Sequence, residues 1–448
     1  MYYYLVRQFY AQKENLKTMN NVDTNDNNKI FNVLSKYTYR SDLHILFAKI
    51  GNRNVILKNA TSIKFIEEIY NKKDYNKTLN NIAYYYGIKK EKIKKDFDDF
   101  IDFLLKDCLN NFTFQREGLP SEIDLEKINF PLSIEVEITR RCNWNCKFCY
   151  NTWKHSDEYP NTLDLSYDKF KNIINESLEN GCTSLKISGG EPTLHPKFNN
   201  FIEYASEMGM NISLFTNGTL LDENMISFLK NNKISTVLIS LHGLQNQHEL
   251  YTNIYNSYNK TIRTIENLIK NNIQVSVETI LSASSTIKEI IEMGNILTTI
   301  GVKHWNFMPY VSTGSTYDSK YQYNIKQLPQ LMEELYKKYN IDIRVVCSQK
   351  LCLNTSKLSL DDLNQNKYID GNCGAGILWI SISYNGKIRN CPHSDIYAGT
   401  IEEGLKKIYL TKLKPHILNI YNNLDECKHC LGYKECRGGC HLNKIKNY

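Results

Sequence analysis

No stretch of this chain approaches the roughly 18 consecutive apolar residues that a membrane span requires. Its start, Met1-Tyr2-Tyr3-Tyr4-Leu5-Val6-Arg7, has neither a long apolar core nor a small-residue cleavage site. These absences predict a cytoplasmic protein with no membrane partner. No unbroken run of Arg and Lys longer than two residues stands out either. Lys+Arg 55 against Asp+Glu 48 leaves a formal charge of +7, which reads as a solvated surface and predicts no nucleic-acid partner. Cysteine, by contrast, is plentiful. Thirteen cysteines in a reducing compartment point to metal or redox chemistry and away from disulfides. The 448 residues suffice for two or three domains with cores of their own.

Along the chain, residues 1–30 are polar, Asn-rich and weakly patterned, and read as an arm. From Phe31 the pattern tightens. The runs Leu43-His44-Ile45-Leu46-Phe47 and Asn54-Val55-Ile56-Leu57 predict a small hairpin. Three helices are expected next. The first is capped by Asn59-Ala60-Thr61-Ser62 and carries Ile63, Ile66, Ile69 and Tyr70. The second runs from about Asn76 to Tyr86 and stops at Gly87, and the third carries Ile93, Phe97, Phe100, Ile101 and Leu104 on one face. Residues 31–115 therefore read as a small winged-helix-like module, and 116–132, with Gly118-Leu119-Pro120 and Pro131, as a linker. Over 133–340 strand and helix patterns alternate, the signature of parallel strands with crossover helices. Strands are expected at 133–139, 184–188, 211–216, 236–241, 274–280 and 303–308. Residues 341–448 form a cysteine-rich extension.

The first expected strand of that series leads into Cys142-Asn143-Trp144-Asn145-Cys146-Lys147-Phe148-Cys149. Three thiolates in one short loop can hold three irons of a [4Fe–4S] cubane and leave the fourth iron open to a small molecule. A zinc knuckle or three buried free cysteines are the alternatives. Structural zinc takes four ligands, and no fourth Cys or His follows closely. Cys-x3-Cys-x2-Cys with an aromatic residue before the last cysteine resembles the radical S-adenosylmethionine (SAM) superfamily. The resemblance implies a partial (β/α)6 barrel in an α/β fold, with Cys142, Cys146 and Cys149 as ligands of a cluster whose open iron binds SAM, and Phe148 near the adenine. It further implies an electron donor such as flavodoxin or ferredoxin.

Ligands of parallel α/β folds gather at the C-terminal strand ends, and each expected strand end carries a matching element. Gly189-Gly190-Glu191-Pro192 resembles the family's GGEP motif, with glycines for close approach and Glu191 to accept from the SAM ammonium. Thr216-Asn217-Gly218 is similar to the TNG turn near the methionine portion. Ser240-Leu241-His242-Gly243 resembles the element whose serine contacts SAM, and Glu278 lies where the family often has a polar contact. No general base can be ranked from the sequence, so the catalytic residues stay unassigned.

The late cysteines, Cys373, Cys391 and Cys427-x2-Cys430-x5-Cys436-x3-Cys440, resemble the SPASM extension and imply one or two auxiliary iron–sulfur clusters; the spacing alone also allows zinc. By that resemblance Cys373, Cys391 and Cys440 hold the nearer cluster, and Cys427, Cys430 and Cys436 the farther one. No cysteine follows Cys440, which departs from the fullest pattern. The N-terminal module resembles leader-recognition domains akin to the small chaperone of pyrroloquinoline-quinone biosynthesis, which capture a precursor peptide as an added strand. Together these resemblances imply a maturase of ribosomally made peptides, of the type that forms cysteine sulfur-to-carbon thioethers. The same scaffold could instead make a carbon–carbon link, an epimer or a sulfatase formylglycine, and a zinc-holding scaffold protein is the remote alternative.

Overall fold

The computed structural model describes residues 30, 34, 37–42, 45–48, 54–56, 60–72, 74–109, 125–151, 164–310, 318–346, 373–394, 396–424, 439, 440 and 442. Two compact units divide the chain, Met1–Ala48 with Asn54–Gln115, and Lys49–Arg53 with Arg116–Tyr448.

In the first unit three short antiparallel strands, β1 (Tyr37–Arg40), β2 (Ile45–Ala48) and β3 (Asn54–Ile56), precede α1 (Ala60–Lys72), α2 (Tyr75–Tyr86) and α3 (Lys90–Leu109). The sequence predicts β2, β3 and all three helices. It misses β1, whose Tyr-Thr-Tyr-Arg run shows no apolar alternation. The start of α2 is set by Asp74, whose side chain accepts from Lys77 N at 3.0 Å, and its end by Gly87 in the left-handed region. One face of each helix supplies the core: Ile66 and Ile69, Leu79 and Ile82, Ile93, Phe97 and Ile101 are all buried. Phe97 stacks on Phe65 with ring centroids 4.6 Å apart. In the strand order β1-β2-β3 the outer strands each have one unpaired edge among the described residues.

The second unit is organised by a ten-stranded sheet. Six parallel strands fall where the sequence predicts them: β4 (Ser133–Thr139), β5 (Ser184–Gly189), β6 (Asn211–Thr216), β7 (Thr236–Ser240), β8 (Val275–Leu281) and β9 (His304–Pro309). Between them run α4 (Tyr167–Glu179), α5 (Phe198–Glu207), α6 (Glu223–Asn231), α7 (Gln245–Thr252), α8 (Ser257–Lys270) and α9 (Ile287–Ile300), with α10 (Leu328–Lys338) after β9. The sheet reaches further at both ends than the sequence suggests. A seventh parallel strand, β10 (Asp342–Val345), joins β9. At the other end β11 (Trp379–Ile382) pairs in parallel with β4 and turns antiparallel into β12 (Lys387–Arg389), which meets the short β13 (Gly399–Thr400). The Asn385-Gly386 turn between β11 and β12 has the positive φ of 85° at glycine that such a tight turn requires. The order β10-β9-β8-β7-β6-β5-β4-β11-β12-β13 does not close on itself.

Helices cover one side of the strands with a dry layer. Phe170, Ile173 and Ile174 of α4 are buried, and Phe170 stacks on Phe201 of α5 at 4.4 Å. Each such side chain taken fully out of water contributes about 1.5–3 kcal/mol. The other strand face is polar. Glu135 and Glu137 on β4, Lys186 and Ser188 on β5, Ser213 on β6, Ser240 on β7, Ser276 and Glu278 on β8, and Asn306 on β9 share it. Parallel strands buried on both sides read as unbroken apolar runs; the alternation here marks a wall facing a polar lumen. After β13, α11 (Leu405–Ile408) passes through a π-helical turn, Tyr409–Leu413, into α12 (Lys414–Asn422). Buried Lys414 donates to the carbonyls of Glu126 (2.5 Å) and Ile128 (2.7 Å), fastening α12 to the segment before β4.

The seam between β4 and the β11–β12 hairpin holds a buried ion pair, Arg389 with Glu137, whose side chains are 7% and 1% exposed. Removing one partner of such a pair strands the other charge and costs about 3–5 kcal/mol. Arg389→Ala should therefore lower stability by about that amount, whereas Arg389→Leu combined with Glu137→Leu should recover most of it. Denaturant midpoints of the two variants and the parent, taken on the full chain, check this; equal losses in the single and double variants would show that the pair carries no coupling.

Candidate active site at the strand ends

The three cysteines of the 142–149 loop are each partly exposed at the C-terminal end of β4. Main-chain bonds pin this loop to α7: Asn145 N donates to Thr252 O (3.2 Å) and Lys147 N to Tyr251 O (2.9 Å). Its aromatic residues anchor it from below. Phe148 is buried, with its ring edge-on to His242 and to Tyr251, each at 4.9 Å, and Trp144 meets His248 at 5.3 Å. Phe148, expected near an adenine, holds the cysteine loop against the β7–α7 segment. Burial drives the His242 imidazole down to about 3 and His248 well below its usual value, so both rings are neutral in this packing. His248 Nδ1 accepts from His242 N at 3.1 Å.

The Gly189-Gly190-Glu191-Pro192 turn lies against the same loop. A Cβ at Gly189, which has φ 144°, would sit 2.4 Å from Thr139 O, and one at Gly190 would sit 2.2 Å from Arg141 O. The close approach that needs these glycines is therefore to the β4 end itself. Gly190 N donates to Thr139 O (2.8 Å) and Glu191 N to Arg141 O (2.6 Å). Pro192, buried, opens a 3-10 turn, Pro192–Leu194.

Glu191 is buried and fully engaged. Oε1 accepts from Thr193 N (3.2 Å), Thr193 Oγ1 (2.7 Å) and Thr216 Oγ1 (2.7 Å), and Oε2 from Asn217 N (2.8 Å). Burial pushes its carboxyl up, against these four donors, each of which favours the charged form. Glu191 thus joins the ends of β5 and β6. Asn217 passes the connection on: its Nδ2 donates to Asn143 Oδ1 (2.7 Å), and Asn143 Nδ2 donates to Thr219 Oγ1 (3.0 Å). Asn143, Thr193 and Thr219 escaped the sequence reading, although each stands inside or beside a motif it singled out.

Lower in the lumen, Ser240 stands opposite Glu278 in the β7–β8 register, and the Ser240 hydroxyl has no side-chain partner among the described residues. Glu278 accepts from Asn306 Nδ2, which also donates to Ser276 Oγ at 3.0 Å. Burial lifts the Glu278 carboxyl to about 7, opposed by the Asn306 bond and by the charge of Lys186. The Lys186 ammonium lies 4.9 Å from the Trp379 ring centre. Near the cysteines, Tyr150 donates to Glu137 Oε1 (3.2 Å), and burial raises the Glu137 carboxyl to about 7 against the pull of Arg389. Tyr150 also packs on His393 at 4.5 Å.

Of the late cysteines, Cys391 and Cys440 are buried and Cys373 is partly exposed. His393 N donates to Cys391 Sγ at 3.4 Å. Cys427, Cys430 and Cys436 lie outside the described residues. Among the described residues no three His, Cys, Asp or Glu side chains converge as ligands of one metal ion. Two thiolates on one zinc, with bonds of about 2.3 Å, would have to stand within about 4 Å of each other. A cubane, whose irons each take a separate thiolate, makes no such demand. The loop of Cys142, Cys146 and Cys149, half-open and backed by aromatic rings, offers three thiols to three irons of one cluster.

The Radical SAM superfamily profile matches residues 136–297. The chain is 32% identical over 140 residues to the Fe-coproporphyrin III synthase of Methanosarcina barkeri, covering 31% of this chain and 34% of that protein. It is 27% identical over 265 residues to the antilisterial bacteriocin subtilosin biosynthesis protein AlbA of Bacillus subtilis, covering 58% of this chain and 55% of that protein. The chain thus spans about a third to about half the length of these relatives. Among solved structures it resembles Streptococcus suis SuiB bound to S-adenosylmethionine, with a TM-score of 0.66 at 18% identity over 92% of this chain and 96% of that one. The same protein bound to precursor peptide SuiA gives 0.65 at 17% identity, over 92% of this chain and 95% of that one. The family implies a [4Fe–4S] cluster and SAM. With its profile running from β4 through α9, and the cysteine loop at the head of the sheet, this chain carries a radical SAM domain.

Proposed function

We propose that the chain is a radical SAM enzyme that modifies a ribosomally made precursor peptide, and that its product is a thioether between a cysteine sulfur and a carbon of that peptide. The observation that carries this reading is the sheet-and-three-helix unit preceding the barrel. Among the described residues β3 is an edge strand, and strand addition at such an edge would bind a peptide through its backbone while leaving its side chains free to differ. The likeness to SuiB, a protein solved with a precursor peptide, takes in 92% of the chain. The AlbA name adds a biosynthetic role in a bacteriocin pathway.

When bound on Cys142, Cys146 and Cys149, a cluster and SAM supply a carbon radical able to remove a hydrogen atom from the peptide. The chain's own residues supply placement. Glu191, through Thr216 and Asn217, holds the β6 turn against Asn143, so that the cysteine loop and two strand ends keep one geometry. Ser240 and Glu278 offer polar contacts to SAM from the lumen wall. Cys373, Cys391 and Cys440, with Cys427, Cys430 and Cys436, are proposed to hold auxiliary clusters. Fixing reactants at reacting distance is worth up to about 7–11 kcal/mol of a barrier, and the polar lumen walls are where that fixing is done.

Anaerobic incubation of the reconstituted enzyme with SAM, dithionite and a cysteine-containing peptide encoded beside its gene tests the proposal by mass spectrometry. A loss of two hydrogens per event, with cysteines that no longer alkylate, is expected. The same loss with free thiols would replace the thioether by a carbon–carbon link, an unchanged mass with deuterium uptake from heavy water would mean an epimer, and an unchanged mass without uptake alongside SAM cleavage would remove the peptide as substrate. Cys146→Ala should abolish SAM cleavage and lower the iron content by one cluster, leaving the iron of the auxiliary clusters in place.

Glu278 makes stability depend on pH. Its folded value, about 7, lies above the ordinary carboxylate value of about 4.3, so the folded state holds the proton more tightly. The resulting stabilisation is complete below about pH 4 and is lost as pH rises through about 7. Melting temperatures at about pH 5 and pH 8 should therefore fall further in the parent than in Glu278→Gln. Glu137, raised in the same range, cancels in that comparison; parallel falls would mean that Glu278 titrates normally.

A further inference from the structure

One cation and one carboxyl on the lumen wall keep bonding capacity that the fold does not use. Lys186 on β5 and Glu278 on β8 both belong to the polar strand face and are half-buried. The Lys186 ammonium rests on aromatic rings, 4.9 Å from the centre of Trp379 and 5.9 Å from that of Phe215. Such rings hold a cation in place while leaving its N–H groups free for an anion. Among the described residues Lys186 has no ion-pair partner. The carboxylates of the neighbouring strand are engaged elsewhere. Glu135, opposite Lys186 in the β4–β5 register, accepts from Ser188 Oγ at 2.8 Å, and Glu137 pairs with Arg389. Glu278 is tied on one oxygen only: Oε1 accepts from Asn306 Nδ2, and Oε2 has no hydrogen-bond partner among the described residues. Arg344, opposite Asn306 in the β9–β10 register, is paired with Asp342 at 3.0 Å. Lys186 is the cation whose charge reaches the Glu278 carboxyl.

A thioether is made from a sulfur that has lost its proton, and a free cysteine thiol ionises at about 8.5. An ordinary carboxylate, at about 4.3, is too weak a base for it by about four orders of magnitude. Glu278, at about 7, removes most of that gap. A thiol beside a lysine ammonium comes down to about 7.5 or lower, which removes the rest. A base also works best with a value near the working pH. We propose that Lys186 and Glu278 ionise the cysteine of the precursor peptide, with Glu278 as its base and Lys186 as the counter-ion of its thiolate. The inference rests on the thioether reading and deepens it. The S–H bond breaks and an O–H bond forms on Glu278, the electron pair stays on sulfur, and nothing is oxidised or reduced in the step.

The test uses the full-length reconstituted enzyme with SAM, dithionite and the cysteine-containing peptide encoded beside its gene, and counts thioether product per 5′-deoxyadenosine released. At about pH 7 Glu278→Gln should lower that ratio about a hundredfold. The loss should shrink by about pH 9, where the thiol ionises unaided. Lys186→Met, which keeps an unbranched stem on the rings, should lower the ratio about tenfold, as a rise of one pKa unit in the thiol would, and Lys186→Arg should restore it. With SAM and reductant withheld, the cysteine of the bound peptide should alkylate with a pH midpoint below that of the free peptide in the parent, and at the free value in Lys186→Met. If both products fall together in Glu278→Gln at an unchanged ratio, the group only contacts SAM and the proposal is overturned. A parent-like ratio in Lys186→Met overturns it as well. Should Glu278→Gln fail to fold, the Lys186 variants and the alkylation midpoints decide. A parent that releases 5′-deoxyadenosine but forms no thioether removes the thioether reading and this inference with it, whereas a thioether-forming parent with parent-like variants removes the inference alone.

Discussion

The arrangement of the site depends on one carboxylate taken out of water. Glu191 is buried, and an isolated buried charge is among the most costly groups a fold can hold. It is tolerated because four donors from two segments point at it, and those same bonds fix the turn after β5 to the turn after β6. Desolvation and hydrogen bonding act in opposition here, and neither works without the other. Without burial the bonds would compete with water, and without the bonds the carboxylate would take up a proton and release the turns. Asn217 and Asn143 carry the constraint onward to the cysteine loop.

A second constraint works by packing. The loop that presents three thiols has few apolar residues of its own, yet Trp144 and Phe148 turn inward onto His242, His248 and Tyr251. Rings kept neutral by burial serve as apolar walls that can still accept main-chain hydrogen bonds, as His248 does from His242 N. The loop is therefore held to α7 twice, by edge-on contacts with the His248 and Tyr251 rings and by hydrogen bonds to the Tyr251 and Thr252 carbonyls, and its thiols stay partly exposed.

Much of this was legible in the sequence because it is local. The six central strands and the helices between them announce themselves by periodicity and caps, as at Ser166 before α4 and Thr286 before α9. The motif residues at strand ends were likewise readable, since each sits within a few residues of a turn signal. The chain did not reveal pairings between distant segments. Nothing near Trp379 says that β11 lies parallel to β4, and nothing near Arg389 says that its partner is Glu137, because both facts depend on pairing between segments far apart in the sequence. Some tasks of single residues are visible only in the folded chain: Gly189 and Gly190 let the backbone approach the β4 end, and Phe148 pegs its own loop.

Among the described residues the sheet begins at β10 and ends at β13, and these two strands do not pair. A closed cylinder of strands can be entered by a chain only end first, so whatever it acts on must possess a loose terminus and be threaded. A sheet with two free margins imposes no such topology. The middle of a long chain can be laid into the lumen from the side while both its ends stay outside, and it can be lifted out and reset a few residues along. For such a scaffold, the length of what it handles and the knots or rings already present in it are not barriers to entry.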